Sequence, residues 1–484
     1  MTPPHTQPLR GSNFAQPPAP AWPASSAAAP RPAFYLTMVL VFVVYARFPE
    51  IMDMVTGSAL HSVRIIVLLA LVAALLFGGD IRAVFSKVGI CLIAFTLWLC
   101  VCIPFSVWRG GSFRALRDSW AVSILCFAIV ASTVQGLEQC RKIMYSLAAA
   151  TIFIESVVLI MGRVQWGRIA LLGGTLGNAN DLAMMLLMGA PFCLFVIRTR
   201  PGNSFFKLAC MATIFFIPIT VASTGSRGGL VTLAVMFILY FLPLPVTQKI
   251  VVSVGVLVLV VCAIALSTRS ALDRFRTMLP SSDHAQLSES ERSALESSEL
   301  RKELLRSSLQ LTLRHPLLGV GPGMFEVANA DYTEETKGRA DFNAWHETHN
   351  TFTQLSCEDG LPGLFLYCLA LLLCFKIVRS VEKRARPDPA LSAVRHMGFA
   401  LRLALIAFTG TAIFASNAYM YYFPILAAVC VVLERATAAQ FSSQTPAAWQ
   451  QPIAAPQVAQ APGHFRPGTL GGGGTVAWKR PPTM

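Results

Sequence analysis

The sequence predicts an all-α, polytopic integral membrane protein with about 12 transmembrane helices and one long external loop that carries a short amphipathic helix. Hydrophobic residues make up 54% of the 484-residue chain and charged residues only 13%, whereas soluble domains carry roughly 25% charged residues. Apolar runs of roughly 20 residues, the length that crosses a bilayer as a helix, recur along the chain. These runs are continuous rather than alternating, which favours helices over a β-barrel.

The apolar runs define the domain organisation. The predicted spans cover residues 34–46, 62–78, 88–106, 119–134, 143–162, 181–197, 205–222, 229–242, 250–267, 360–378, 398–416 and 419–433. They form a transmembrane domain over residues 34–436, with the large loop at 268–349. The Pro/Ala-rich residues 1–33 and the Pro/Gln/Gly-rich residues 437–484 are predicted to be disordered tails.

The large loop contains one predicted helix. Residues 296–313 place Leu300, Leu304 and Leu311 on one helical face, and Pro316 is expected to end the helix. The apolar, turn-rich segment HPLLGVGPG follows at residues 315–323.

Basic residues in the short loops predict the orientation. If the chain has 12 spans, most of these basic residues lie on one side of the membrane, and the positive-inside rule makes that side cytoplasmic. These residues are Arg141, Lys142, Arg198, Arg200, Lys207, Arg379, Lys383, Arg384, Arg386 and Arg395. Both termini are then cytoplasmic and the large loop is periplasmic. Arg109, Arg114 and Arg117 are exceptions, and they indicate either a different span count or a basic surface that holds an anionic ligand.

Charge and cysteine usage exclude other classes. The net charge is +14, but the basic residues lie in clusters between apolar runs. That pattern is typical of membrane topology and contacts with lipid headgroups, so no nucleic-acid partner is predicted. Most of the 12 cysteines lie inside apolar runs and no CxxC pair has zinc spacing. Neither a disulfide framework nor a zinc site is therefore predicted.

The stretch WHETHNTF at residues 345–352 is the first candidate for chemistry. A histidine can accept a proton near neutral pH, and His349 stands where the large loop meets the next span. Asn350 is expected to cap the following helix or to orient the imidazole. The alternative is an interfacial capping pair without a catalytic role. HETH is one residue short of the HExxH zinc motif and has no evident third ligand, so no metal is predicted.

Two arginines are candidate anion ligands. Arg227 lies in the turn TGSRGG at the start of a span, where paired guanidinium donors, glycines and a helix N-terminus favour phosphate binding. The alternative is an arginine that snorkels to the interface. Arg301, on the loop helix, is the second candidate, with a solvated surface arginine as its alternative.

Glu155 lies inside a span, where it either has a function or forms a hydrogen bond to a neighbouring helix.

Together these motifs resemble the O-antigen ligase and O-antigen polymerase family. The resemblance covers residues 173–378 and rests on GTLGNANDLA, TGSRGG, HPLLGVGPGMF, HNTFTQL and EDGLPGL, in this order. It implies a metal-independent membrane glycosyltransferase without a cofactor. By the same resemblance His349 is the catalytic histidine, Arg227 and Arg301 bind pyrophosphate, and the motif residues Asn350, Ser226, Asn180 and Glu358 support them.

The resemblance also implies the partners. The donor is a glycan linked to undecaprenyl pyrophosphate, and the acceptor is a lipid A-core sugar for a ligase or a glycan repeat for a polymerase. Such an enzyme acts in lipopolysaccharide or exopolysaccharide biosynthesis at the periplasmic face of the bacterial inner membrane, among membrane lipids and other envelope-polysaccharide assembly proteins. The sequence leaves ligase and polymerase open. A transporter of a polysaccharide precursor is the main alternative, and a non-catalytic scaffold is a third.

Overall fold

The computed structural model describes residues 32–57, 62–77, 79–165, 168–171, 175–200, 202, 204–266, 289–337 and 345–443. The all-helical prediction is confirmed, with one antiparallel hairpin of β1 (Arg163–Gln165) and β2 (Arg168–Ala170) as the exception in this part of the chain. In chain order the helices are α1 Pro32–Tyr45, α2 Phe48–Thr56, α3 Ser62–Leu76, α4 Lys87–Cys102, α5 Arg109–Ala115, α6 Ala121–Thr133, α7 Leu137–Met161, α8 Ala179–Thr199, α9 Phe205–Ser223, α10 Arg227–Phe241, α11 Val246–Leu266, α12 Glu289–Arg314, α13 Phe325–Lys337, α14 Thr351–Glu358, α15 Gly360–Ala385, α16 Ser392–Ala412 and α17 Tyr422–Ser443.

Each predicted span coincides with one of these helices. By length and composition, 7 helical stretches among the described residues could cross a membrane, or 8 if α1 and α2, bent by 61°, count as one span. The 7 are Lys87–Phe105, Arg109–Thr133, Leu137–Met161, Ala179–Thr199, Phe205–Ser223, Gly360–Ala385 and Pro389–Ala412. Ile65–Leu76, Arg227–Phe241 and Val246–Val258 are shorter apolar helices. The total of about 12 spans stays a prediction.

The three exceptional arginines lie in a helix. A π-helical turn at Leu116–Trp120 joins α5 to α6, and the two helices form one candidate span from Arg109 to Thr133. Arg109, Arg114 and Arg117 therefore belong to the start of this stretch rather than to a loop before it. The span predicted at 119–134 was too short at its N-terminal end, because arginines interrupt the apolar pattern there.

Helix α8 is the most buried candidate span. Within its apolar window, 83% of the residues are buried by other parts of the protein. It packs against α7, α9 and α16, and Gly189 allows a close approach, since a Cβ at this position would overlap Thr151 of α7. Asn178 caps α8 by accepting a hydrogen bond from the backbone N–H of Asn180. The N-terminal turn of α8 is thus fixed inside the protein.

The described part of the long connection between α11 and α14 has its own apolar core. The predicted loop helix is confirmed as α12, which ends at Arg314, before Pro316. Leu304 and Leu311 of the predicted leucine face are buried and pack with residues of the following segments, and Leu300 is partly buried against them. The other core members are Val320, Met324, Phe325, Ala328 and Cys357. This core attaches α12 and α13 to α14.

The predicted tails fall largely outside the described residues. Pro32 and Ala33 already belong to α1, and Thr437 to Ser443 continue α17. Residues 268–288 and 338–344 of the predicted large loop are also outside. By internal contacts the chain divides into Met1–Gln440 and Phe441–Met484, and the site described below belongs to the first unit.

Candidate functional site

Arg227 is the first residue of α10 and follows a tightly bonded turn. Ser226 caps the helix, with its hydroxyl oxygen accepting from the N–H of Gly229 at 3.2 Å. Gly225 has a φ of 60°, a left-handed conformation that glycine adopts without steric cost. A Cβ on Gly228 would overlap the ring of Phe414. The TGSRGG sequence therefore fixes both the direction of Arg227 and the close packing behind it.

His349 lies in a strained backbone conformation just before α14. Its φ is 51°, which is uncommon for a residue other than glycine and costs energy that the surroundings must offset. Its backbone N–H donates to the hydroxyl oxygen of Ser416 at 2.8 Å, and Thr348 and Ser416 share a hydroxyl hydrogen bond of 2.9 Å. The connection between α16 and α17 thus holds the histidine in place.

Asn350 takes the first of the two roles expected for it. Its side-chain oxygen accepts from the N–H groups of Phe352 at 2.9 Å and Thr353 at 3.1 Å, so Asn350 is the N-cap of α14. The next residue reinforces this arrangement, since the Thr351 hydroxyl donates to the carbonyl of Ala415 at 2.6 Å.

The motifs meet at one cavity of about 320 Å³. His349, Arg227, Arg301, Asn180 and Asn350 all line it, although they come from four separate stretches of the chain. Ser226 and Glu358 do not. The full lining comprises Arg168, Asn180, Gly225, Arg227, Gly228, Ser297, Ser298, Arg301, Lys302, Leu305, Thr348, His349, Asn350, Ile413 and Phe414. The N-terminal turns of α8 and α10 and the cap of α14 contribute to this surface.

The cavity is strongly cationic. Burial and then the charge of nearby Arg227 lower the pKa of Arg301, while Asp181 opposes this shift. An arginine keeps its proton under such shifts because its ordinary pKa is above 12. The guanidinium groups therefore repel each other, and a bound anion would offset that repulsion.

The imidazole of His349 is neutral at physiological pH. Burial, followed by the charges of Arg301 and His346, lowers the pKa of His349 to about 4. A neutral imidazole has a ring nitrogen that can accept a proton. The site thus combines a proton acceptor with several fixed positive charges, which suits a reaction in which a hydroxyl loses a proton and an anionic group departs.

Glu358 supports the long connection rather than the cavity. Its buried carboxylate accepts from the N–H groups of Gly323 at 3.1 Å and Phe325 at 3.0 Å, and from the hydroxyl of Tyr419 at 2.7 Å. The bond to Phe325 satisfies the N-terminus of α13. Burial raises the pKa of Glu358 to about 7.

The hydrogen bond considered for Glu155 is present. The hydroxyl of Thr220 on α9 donates to the Glu155 carboxylate on α7 at 2.5 Å. Among the described residues, no group of three or more histidine, cysteine, aspartate or glutamate side chains is placed to hold a metal ion.

Sequence reasoning missed Arg168, Lys302 and Ser416. Arg168 lies on β2, and its guanidinium donates to the backbone carbonyl of Thr224 and to the side-chain oxygen of Asn180, each at 2.8 Å. Lys302 follows Arg301 on α12. The sequence did contain one signal for Arg168, since it is a cation shortly before the GTLGNAND motif. The hairpin could not be predicted, because a strand of three residues has too little pattern.

An all-helical membrane protein with a cationic cavity beside a neutral histidine has the features of a membrane transferase that handles an anionic substrate. Residues 211–368 match the family model described as O-antigen ligase. The match contains Arg227, Arg301 and His349, and it confirms the resemblance of this part of the chain to the O-antigen ligase family. A search of curated proteins finds no match. The match and the apolar helices together support a multi-pass membrane protein with a glycosyltransferase-like ligase function.

Proposed function

We propose that this protein transfers an oligosaccharide from undecaprenyl pyrophosphate to a sugar hydroxyl at the periplasmic face of the bacterial inner membrane. The observation that carries the proposal is the shared cavity of His349, Arg227 and Arg301. A pyrophosphate requires several cationic donors, and the attacking hydroxyl requires a proton acceptor. Both requirements are met within one site of suitable size.

In the proposed reaction, the acceptor hydroxyl attacks the anomeric carbon of the first donor sugar. The oxygen–carbon bond forms while the bond from that carbon to the pyrophosphate oxygen breaks. His349 accepts the hydroxyl proton, and undecaprenyl pyrophosphate leaves with the bonding electrons. Arg227 and Arg301 stabilise the negative charge that develops on the leaving group. No step requires a metal ion or a cofactor.

The low pKa of His349 fits this order of events. Burial and the charge of Arg301 disfavour the imidazolium. A bound pyrophosphate would offset that charge and raise the pKa of His349 towards its ordinary value, because an anion favours the protonated ring. His349 would then be a stronger base with the donor bound than without it.

Helix termini add to the proposed donor site. The N-terminal turns of α8 and α10 and the cap of α14 are at the cavity. Each N-terminus carries a partial positive charge that favours phosphate. We place the phosphates at the N-terminal ends of these helices, at the periplasmic face, and the lipid chain within the membrane. With the predicted 12 spans, both chain termini are then cytoplasmic.

Reconstitution in liposomes tests the proposal. We would supply an undecaprenyl-pyrophosphate-linked oligosaccharide with lipid A-core or glycan-repeat acceptors, and compare wild type with His349→Ala. We expect transfer by wild type and a loss of about 100-fold or more in the variant. The control is His315→Gln, which changes an exposed histidine outside the cavity lining. A single addition to lipid A-core would indicate a ligase, and a ladder of repeats a polymerase.

Two results would contradict the proposal. Equal transfer by wild type and His349→Ala would reduce His349 to an interfacial residue. Solute flux without glycan transfer, abolished by Glu155→Gln, would favour the transporter alternative.

A further inference from the structure

Arg168 connects three parts of the chain beside the proposed phosphate site. It belongs to the hairpin strand β2, and it bonds to Thr224 at the end of α9 and to Asn180 in the first turn of α8. It also lines the cavity. Its two 2.8 Å hydrogen bonds use different nitrogens, Nε and Nη2, as the planar fork of a guanidinium permits.

The bond to Thr224 acts on the turn that carries Arg227. Thr224 is the C-cap of α9, where backbone carbonyls lack helical partners and a cation is favourable. Only Gly225 and Ser226 separate Thr224 from Arg227. A change in the position of the Thr224 carbonyl would therefore move the start of α10 and the guanidinium of Arg227 with it.

The bond to Asn180 gives that side chain a defined orientation. Because the Asn180 carbonyl oxygen accepts from Arg168, its NH₂ group must point elsewhere. Asn180 itself lines the cavity. One guanidinium thus orients a polar side chain of α8 and fixes the turn before α10.

We propose that Arg168 is a positioning residue for the donor: its fork holds Asn180 and the Arg227 turn in the arrangement that receives the pyrophosphate. This inference rests on the proposed function and adds to it a residue with a distinct role. This role depends on the planar arrangement of the guanidinium donors and not on the positive charge alone, so lysine cannot replace arginine here. A lysine ammonium is a point charge on a flexible chain and lacks the fixed pair of donor directions.

The experiment measures donor binding and turnover separately. Wild type, Arg168→Gln and Arg168→Lys would be purified, and their thermal stabilisation by undecaprenyl pyrophosphate would be titrated. Steady-state assays with the oligosaccharide-linked donor would then give KM for donor and acceptor. The matched control is Arg163→Gln, which changes an exposed arginine on β1 of the same hairpin that does not line the cavity.

We expect both Arg168 variants to weaken undecaprenyl pyrophosphate binding and to raise the donor KM by about tenfold, as for the loss of a charge-assisted hydrogen bond. The acceptor KM should not change, and Arg163→Gln should behave as wild type. Adding Asn180→Ala to Arg168→Gln should cause less additional loss than Asn180→Ala causes alone, since the two side chains act as one unit.

Three outcomes would overturn the inference. Wild-type donor affinity in Arg168→Lys would show that charge alone suffices. Unchanged donor affinity in Arg168→Gln with a lower melting temperature would make Arg168 a purely structural residue. Full additivity with Asn180→Ala would separate the two side chains. If wild type itself neither binds undecaprenyl pyrophosphate nor transfers glycan, the proposed function fails first, and the two failures are thereby distinguished.

Discussion

The two walls of the cavity are built differently. One, the helix wall, consists of Arg168, Asn180, Gly225, Arg227, Gly228 and Phe414. The other, the α12 wall, consists of residues from Ser297 to Leu305 on a single helix. In the helix wall, side chains cap the helix ends and a glycine packs directly on an aromatic ring. In the α12 wall, Lys302 and Leu305 are exposed beside the half-buried Arg301.

We infer from this difference that the cations of the two walls have different roles. A cation on the helix wall cannot adjust without disturbing several helices, so it provides a fixed position for the phosphates. A cation on α12 lies beside exposed residues of the same helix, so we expect it to adjust more easily. Preorganised charge stabilises a transition state better than charge that must first reorient. We therefore expect Arg227 to contribute more to turnover than Arg301.

The largest expected effect separates the two arginines. Arg227→Ala should lower kcat/KM for the donor by about 100-fold or more, in the range seen for removal of one preorganised donor. Arg301→Ala should lower it by about tenfold, since the adjacent Lys302 can partly take its place. Liposome assays would measure both, with Arg306→Ala on the exposed part of α12 as the control. Equal losses of kcat/KM in Arg227→Ala and Arg301→Ala would contradict the inferred difference between the two walls.

A change in packing tests the rigidity of the helix wall. Gly228→Ala places a methyl group against Phe414, and overpacking of this kind costs about 1–3 kcal/mol. We expect a lower melting temperature and a loss of transfer of roughly tenfold, because Arg227 is displaced with its neighbour. Gly255→Ala on α11 is the matched control, since a Cβ there meets nothing within 4 Å. Wild-type stability and transfer in Gly228→Ala would show that this wall can adjust.

The smallest expected effect is a shift in the pH profile. His349 must be neutral to accept a proton, so kcat/KM should fall as the pH falls through its pKa of about 4 in the free enzyme. Arg301 lowers this pKa, and removing its charge in Arg301→Gln should raise the pKa and move the acidic limb to higher pH. Arg306→Gln serves as the control. If the acidic limb of the pH profile lies at the same pH in Arg301→Gln and wild type, His349 is not the titrating base.

The sequence predicted the elements that depend on local pattern. Apolar runs located the helices, and leucine spacing located α12 together with its buried face. Asn350 stands at the N-cap position that its motif indicated. These features arise from residues a few positions apart, so a single sequence contains the necessary information. The roles of His349, Arg227 and Arg301 stay proposals that the shared cavity supports.

Contacts between distant residues were beyond such reasoning. The partner of the His349 N–H is Ser416, in the connection between α16 and α17, and no local pattern relates two residues so far apart in the chain. Arg168 was missed because its contacts depend on the hairpin turning it towards α8 and α9. Glu358 was expected near the site, but its carboxylate instead bonds to residues 323 and 325, whose loop geometry is set by tertiary packing.

The bonds of Glu358 have a consequence for the order in which the protein assembles during synthesis. The N-terminus of α13 depends on Glu358, and Glu358 in turn depends on the hydroxyl of Tyr419. Tyr419 is translated after α15 and α16, so a nascent chain that has just completed α13 lacks both partners. We therefore expect the long connection to acquire its final fold only after Tyr419 has been synthesised. Phe414 of the helix wall is also synthesised late, so we expect that the enzyme cannot act on its donor before its own synthesis is nearly complete.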